Sequence, residues 1–301
     1  MKRAVIDIGT NTAHMIIGEI IEGQIDKILY KQRFYTFLGE SGLEEIGQEA
    51  LKRLWKALDH FKKAIENTDC QSVVVLATEG LRSAKNGLLI QGIIREDYGF
   101  PIHIIDGHEE ADLIFKGTTQ ALKMTDDNYL IMDIGGGSCE FILVQKGIKV
   151  WQESYPIGIS RLYHEFHQKD PISLDDLMRM RLNLDHMLAQ MWDDKLKDFN
   201  NIQLIGCAGT FEIFLTDEEK KDADLRSSEV PVSRLVELSN KVRSLNKGER
   251  SLVPDLPKKR AEYIVVALEL MRYVIEKLEI TDFTVSKYAL KEGGLVSDEY
   301  F

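Results

Sequence analysis

The sequence contains nearly the same glycine-rich phrase twice. Residues 5–12 read Val-Ile-Asp-Ile-Gly-Thr-Asn-Thr, and residues 131–138 read Ile-Met-Asp-Ile-Gly-Gly-Gly-Ser. An apolar run follows each copy, which is typical of a strand, a tight turn and a returning strand. The small residues of each turn leave backbone N–H groups accessible to an anion. Two such loops in one chain predict a two-lobed protein that holds a phosphate chain.

Acidic residues stand beside both turns. Asp7 and Asp133 end the first strand of each copy, and Glu140 begins the returning strand of the second copy. Carboxylate oxygens are the ligands that Mg²⁺ prefers, so these residues are candidates for holding a divalent cation, Mg²⁺ or Mn²⁺. Strand-end carboxylates can also cap turns without binding a ligand, and the sequence leaves that alternative open.

The composition favours a two-lobed globular protein. At 301 residues the chain is long for one hydrophobic core, and its hydrophobic content of 44% is ordinary. A formal net charge of −11 argues against nucleic-acid binding by a general basic surface. The sequence shows no apolar run of about 18 residues, and it leads directly into a strand rather than a signal peptide. We therefore expect a cytoplasmic protein, and its three cysteines suit a reducing compartment.

Strand-like and helix-like segments alternate along the chain, as in an α/β fold. Apolar runs predict strands at 4–8, 15–20, 72–77, 103–105, 129–132, 140–144, 203–205 and 283–286. Helical periodicity predicts core-packing helices over 48–65 and 259–278, and the polar stretch 216–229 predicts a solvated loop. The short polar segment 123–128 is the expected seam between lobes 1–124 and 125–301.

Five motifs occur in an order that points to a family. They are residues 7–14, 77–84 (Ala-Thr-Glu-Gly-Leu-Arg-Ser-Ala), 107–111 (Gly-His-Glu-Glu-Ala), 133–140 and 206–210 (Gly-Cys-Ala-Gly-Thr). Over nearly the whole chain, this series resembles the exopolyphosphatase / guanosine pentaphosphate phosphohydrolase family of the actin–sugar kinase–Hsp70 superfamily. The resemblance implies two ribonuclease-H-like (actin-like ATPase) lobes with a cleft between them. It also implies metal-dependent hydrolysis of terminal phosphates from inorganic polyphosphate or from guanosine pentaphosphate.

The resemblance implies roles for individual residues as well. Glu110 matches the family's catalytic glutamate and would orient or deprotonate the attacking water, whereas Glu109 is expected to contribute less. An acidic pair at a helix start can instead compensate the helix dipole. Arg82 offers a planar donor fork for a phosphate oxygen, although a solvated surface arginine is the ordinary alternative. The three loops expected to bind phosphate comprise Gly9, Thr10, Asn11, Thr12, Gly135, Gly136, Gly137, Ser138, Gly206, Gly209 and Thr210.

Some positions depart from the family pattern. Lys291 stands where the family usually has arginine, which keeps the charge and loses a bidentate contact. The third loop carries Cys207 and Ala208 where small hydroxylated residues are usual. The sequence ends at Phe301, so we expect no additional helical domain of the kind found in longer relatives. We therefore expect weak retention of long polyphosphate and a preference for short chains.

Two other classes of function stay open at the level of sequence. An ATP-dependent sugar or acetate kinase of the same superfamily would share the twin loops, whereas the motifs around Glu110 and Arg82 favour water as the nucleophile. A non-enzymatic nucleotide-sensing module would need no base, and the presence of Glu110, Asp133 and Glu140 together argues against it. The expected partner is therefore polyphosphate or guanosine pentaphosphate, with a homodimer as the assembly considered and neither nucleic acid nor membrane involved.

Overall fold

The computed structural model describes residues 1–40, 42–254 and 256–301, which form two compact units. The first unit comprises Met1–Leu122, Gly135–Gly137 and Tyr288–Phe301, and the second comprises Lys123–Ile134 and Ser138–Lys287. The predicted seam therefore lies at the start of the second unit. The predicted lobe 125–301 differs from this division, because the last segment of the chain packs with the first unit.

Strands and helices alternate along the chain. The strands are β1 (Lys2–Ile8), β2 (Thr12–Ile21), β3 (Gln24–Tyr35), β4 (Ser72–Ala77), β5 (Ile102–Ile104), β6 (Asn128–Ile134), β7 (Cys139–Gln145), β8 (Ile148–Tyr155), β9 (Ile202–Cys207), β10 (Ser227–Pro231) and β11 (Asp282–Ser286). The α-helices are α1 (Gln48–Glu66), α2 (Glu79–Arg82), α3 (Gly87–Tyr98), α4 (Gly107–Ala121), α5 (Ile159–Phe166), α6 (Leu174–Met187), α7 (Ala208–Phe211), α8 (Asp217–Lys221), α9 (Val232–Arg243), α10 (Lys247–Arg250), α11 (Ile264–Leu278) and α12 (Leu290–Leu295).

Each unit is built on one sheet. The five-stranded sheet of the first unit has the order β3-β2-β1-β4-β5, in which β1 to β3 are antiparallel and β4 and β5 run parallel to β1. The six-stranded sheet of the second unit has the order β10-β11-β9-β6-β7-β8. Its strands β8-β7-β6-β9-β11 repeat the order and directions of the first sheet, and β10 adds an antiparallel edge strand. The repeated glycine-rich phrase thus begins two copies of one topology.

The helices cover these sheets with their apolar faces. The helix α1 buries Leu54, Leu58 and Phe61, as its helical period predicts. The helix α11 begins at Ile264 rather than at residue 259, because Lys258–Arg260 forms a separate 3₁₀ turn outside the core. Within the described ranges 1–40, 42–254 and 256–301, every helix is too short or too polar to cross a bilayer.

All eight predicted strands are present, and the described residues form three further strands that were not predicted. The strands β3 and β8 lie at sheet edges, where exposed polar and charged side chains obscure the apolar alternation. The prediction of a solvated loop over 216–229 is wrong. The helix α8 begins there with a capping box between Thr216 and Glu219, and β10 begins at Ser227.

Close helix packing holds the C-terminal segment in the first unit. A Cβ atom at Gly117 of α4 would collide with the carbonyl of Ala289, and one at Gly293 of α12 would collide with the carbonyl of Leu113. Two residues without side chains therefore let the two helix backbones approach closely. The helix α12 also contacts β1, which brings Lys291 to the strand that ends near Asp7.

Candidate active site

The helix α4 begins with an acidic segment whose members have different surroundings. Asp106 caps the helix, because its Oδ1 accepts the backbone N–H groups of His108 and Glu109 at 2.8 and 2.9 Å. The carboxylate of Glu109 accepts the N–H of Asp106 at 2.8 Å, which completes a capping box. Glu110 is instead buried, with 7% of its surface exposed. Glu109 therefore stabilises the start of α4 through the capping box, whereas Glu110 is a buried carboxylate.

The guanidinium of Arg82, at the end of α2, joins two carboxylates. Its Nε donates to Oε2 of Glu79 at 3.2 Å, and its Nη1 lies 3.4 Å from Oε2 of Glu110. The same Nη1 donates to the carbonyl of Ile105 at 2.5 Å. The side chain of Arg82 is only 24% exposed, so it is not a freely solvated surface arginine. The structure thus brings the predicted base and the predicted phosphate-binding arginine together in the first unit.

The first glycine turn is fixed through its carbonyl groups. The N–H of Gly9 donates to the carbonyl of Thr12 at 2.9 Å, which closes the turn. The carbonyls of Thr10 and Asn11 accept backbone N–H groups of the segment 36–39 at 3.0–3.2 Å. In a trans peptide the N–H points opposite to the C=O, so the N–H of Asn11 points away from that segment. An anion-binding turn requires this orientation.

The second glycine turn lies against the first one. Its three glycines, Gly135–Gly137, belong to the first unit by their contacts. A Cβ atom at Gly136 would lie 2.7 Å from Cβ of Thr10 and 2.9 Å from Nδ2 of Asn11. A Cβ atom at Gly137 would collide with the side chain of Glu79. Both positions therefore require glycine, and the two predicted loops are neighbours.

Two carboxylates of the second unit face each other across β6 and β7. Asp133 and Glu140 are antiparallel partners in this pair of strands, and such partners project from the same face of a sheet. Their exposed fractions are 7% and 1%. The hydroxyl of Ser154, on β8, donates to Oε1 of Glu140 at 2.7 Å. Ser138, which ends the second turn, is also buried.

This carboxylate pair meets the usual demands of Mg²⁺. The ion is commonly bound by one or two carboxylates and takes its remaining ligands from water and substrate phosphates. Asp133 and Glu140 supply such a pair of hard oxygen donors on one face of a hairpin. In the part of the chain that the structure describes, no group of three or more His, Cys, Asp or Glu side chains is arranged to hold a metal ion.

Asp7 occupies the corresponding position of the first hairpin but lies among mixed charges. Its cross-strand partner is His14 rather than a carboxylate. Burial raises the pKa of Asp7 to about 6, and the positive charges of Lys291 and Arg33 oppose that rise. Glu292 acts in the same direction as burial, and its carboxylate lies 3.6 Å from Nζ of Lys291. Metal binding by Asp7 stays a prediction.

The predicted third anion loop consists mostly of regular structure. Gly206 lies in β9, where a Cβ atom would collide with the ring of Phe211. Gly209 and Thr210 lie in the short helix α7, and the hydroxyl of Thr210 donates to the carbonyl of Ile134 at 3.2 Å. These contacts give Gly206 and Thr210 packing roles within the second unit. Phosphate binding at this loop stays a prediction.

Two neighbours of the candidate residues were not predicted from the sequence. Glu79 stands three positions before Arg82 within the motif 77–84, and oppositely charged side chains at this spacing on a helix can pair. That spacing could have identified it. Ser154 lies on β8, a strand that was itself not predicted, so no signal in the sequence placed its hydroxyl beside Glu140.

The two repeated sheets define the actin-like class of α/β fold. A model of the Ppx/GppA phosphatase family matches residues 19–300. The structure of an exopolyphosphatase from Cytophaga hutchinsonii ATCC 33406 is 32% identical in sequence, with 97% of this chain and 96% of that chain covered and a TM-score of 0.90. The Aquifex aeolicus PPX-GPPA enzyme shares the fold at 22% identity, with 99% of each chain covered and a TM-score of 0.80. The chain belongs to the Ppx/GppA phosphatase family, which confirms the predicted family and fold class.

Proposed function

We propose that the protein hydrolyses the terminal phosphoanhydride bond of short inorganic polyphosphate chains, of guanosine pentaphosphate or of both, and releases orthophosphate. The observation that carries this proposal is the buried carboxylate of Glu110 beside the guanidinium of Arg82, at 3.4 Å. A base and a phosphate-binding cation are the two groups that water-driven cleavage of a phosphate chain needs close together. The 32%-identical relative, an exopolyphosphatase, supports the same substrate class.

In the proposed reaction Glu110 acts as the general base. The oxygen of a water molecule forms a bond to the terminal phosphorus while a proton of that water passes to the carboxylate of Glu110. The bridging P–O bond breaks, and its electron pair stays with the shortened chain. Arg82 binds a phosphate oxygen and holds the terminal group in position. Glu109 is a poorer candidate for the base, because its carboxylate accepts the N–H of Asp106.

The proposal also assigns a metal ion and an anion-binding backbone. Asp133 and Glu140 would hold Mg²⁺, or Mn²⁺ in its place, and Asp7 is a further candidate ligand. When bound, such an ion neutralises charge on the phosphate oxygens. The backbone N–H groups of residues 135–137 would contact the phosphate, and the N–H of Asn11 points away from its supporting segment. The preference for short chains rests on the net charge of −11, which repels a long polyanion.

A panel of substrates tests this function. Phosphate release is measured with the purified protein on polyphosphate of several chain lengths, on guanosine pentaphosphate and on ATP, each with and without Mg²⁺. We expect release from short polyphosphate, from guanosine pentaphosphate or from both, with Mg²⁺ required and ATP the poorest substrate. Equal rates on ATP, or full activity in EDTA, would contradict the proposal. Cytoplasmic location and homodimer assembly are further expectations, which fractionation and light scattering can check.

A further inference from the structure

We infer that Glu79 is a positioning residue that fixes Arg82 and keeps it from pairing fully with Glu110. The inference rests on the proposed function, in which Arg82 binds phosphate and Glu110 is the base. Glu79 is not one of the residues that the family resemblance brings to this site. Three features of the structure support this role: the geometry of the ion pairs of Arg82, the hydrogen bond that anchors Glu79, and the contact of Glu79 with the second glycine turn.

The ion-pair geometry makes Glu79 the closer partner of Arg82. Oε2 of Glu79 lies 3.0 Å from Nη2 and 3.2 Å from Nε of Arg82, whereas Oε2 of Glu110 lies 3.4 Å from Nη1. Glu79 therefore holds one edge of the guanidinium and Glu110 approaches the other edge. The side chains of Glu79 and Glu110 are 13% and 10% exposed, so solvent screens these contacts less than it would at an open surface.

Glu79 is itself held in place. The hydroxyl of Ser83 donates to its second oxygen, Oε1, at 2.7 Å. Its aliphatic stem lies so close to the backbone of the second glycine turn that a Cβ atom at Gly137 would collide with it. Because the stem and the carboxylate of Glu79 are both held, this side chain gives the guanidinium of Arg82 a defined orientation. Pre-orientation of this kind reduces the entropy lost when a phosphate oxygen binds.

Sharing Arg82 between two carboxylates also affects the base. A guanidinium paired with Glu110 alone would stabilise the charged carboxylate and make it a weaker proton acceptor. The negative charge of Glu79 offsets part of the charge of Arg82 and so preserves the basicity that the reaction needs. Asp106 and Glu109 add two further acidic groups at the start of the helix that carries Glu110.

The test compares Glu79→Gln with Ser83→Ala, using short-chain polyphosphate and Mg²⁺. Glu79→Gln keeps the size of the side chain and removes its charge. We expect its KM to rise about five-fold, the equivalent of one partly screened ion pair. We also expect the acidic limb of its kcat/KM profile to move to lower pH by about 0.5–1 unit, because Glu79 then no longer offsets the charge of Arg82 beside Glu110. Ser83→Ala keeps the charge of Glu79 and removes one of its anchors, so we expect a smaller rise in KM, of about two-fold, and an acidic limb within about 0.2 pH unit of the wild type.

Thermal melting shows whether Glu79→Gln is folded. If it is not, Glu79→Asp replaces it: the shorter carboxylate loosens Arg82 and should raise KM while leaving the acidic limb in place. A folded Glu79→Gln with unchanged KM and an unchanged acidic limb would overturn the inference. Glu110→Gln, measured alongside, reports on the proposed function alone. Its loss of turnover together with a wild-type-like Glu79→Gln would mean that the function stands and the role of Glu79 does not.

Discussion

The two hairpins that contain the repeated phrase have the same topology, but their side chains differ in chemistry. In the first, Asp7 stands opposite His14, and in the second, Asp133 stands opposite Glu140. The carboxylate of Asp7 lies among the charges of Lys291 and Arg33. The second hairpin instead sets two buried carboxylates side by side, with the hydroxyl of Ser154 as a hydrogen-bond donor to one of them.

The difference shows that a repeated strand-turn-strand unit need not repeat the side chains that surround its aspartate. In the proposed function, a carboxylate opposite the aspartate lets the two share a cation, and Glu140 stands in that position opposite Asp133. In the proposal above, Glu110 and Arg82 of the first unit have the roles of base and phosphate contact, and Asp133 and Glu140 of the second unit have the role of metal ligands. Variants of the two units should therefore fail in different ways.

The largest effect is expected in the first unit. Glu110→Gln should lower kcat by roughly 10²–10⁴-fold, the usual contribution of a positioned general base, and leave the fold intact. Glu109→Gln is the matched control on the same helix, because Glu109 serves the capping box. It should cost stability of about 1 kcal/mol and little turnover. Phosphate-release kinetics and thermal melting measure both variants, and equal losses of kcat would refute the assignment.

The next effect belongs to the second hairpin. Asp133→Asn or Glu140→Gln should raise the Mg²⁺ concentration for half-maximal rate by about 10–100-fold, because a site with so few protein ligands loses one of them. Asp7→Asn is the corresponding variant of the first hairpin and should shift that concentration less. Metal titrations of the three variants decide the point. A larger shift for Asp7→Asn would reverse the comparison between the hairpins.

A smaller effect is expected from filling the space beside the second turn. Gly137→Ala forces a Cβ atom against Glu79, and we expect a loss of stability of about 1–3 kcal/mol, as for other overpacked sites. Gly92→Ala is the control, since Gly92 lies in α3 and no atom comes within 4 Å of the added Cβ. That variant should gain about 0.5–1 kcal/mol. Denaturant unfolding measures both, and a neutral Gly137→Ala would show that the turn is not constrained as described.

The smallest effect concerns the pH dependence set by Asp7. Its pKa is raised to about 6 in the folded protein, above the usual value of 3.8, so the fold favours the protonated form. The cost of the charged form is therefore present above about pH 6 and disappears below about pH 4. In EDTA, wild type should gain about 1–2 kcal/mol relative to Asp7→Asn as the pH falls from 7 to 4. A difference that stays constant over this range would contradict the raised pKa.

The sequence predicts the parts of this molecule that depend on local pattern. Apolar runs and small-residue turns place the paired hairpins, and the motif 107–111 indicates Glu110. The edge strands β3 and β8 escape prediction because exposed polar residues break their alternation. Lys291 comes near Asp7 because α12 packs on α4 and also contacts β1, which are distant from it in the chain. Such contacts depend on tertiary structure, and no local pattern contains them.

A Mg²⁺ titration of phosphate release from short-chain polyphosphate tests the proposed division of roles most directly, with wild type, Glu110→Gln and Glu140→Gln compared under one set of conditions. The account predicts that Glu110→Gln lowers the plateau rate by roughly 10²-fold or more and leaves the midpoint in Mg²⁺ unchanged. It predicts that Glu140→Gln moves the midpoint about 10-fold or more to higher Mg²⁺. A wild-type plateau for Glu110→Gln, or a wild-type midpoint for Glu140→Gln, would contradict it.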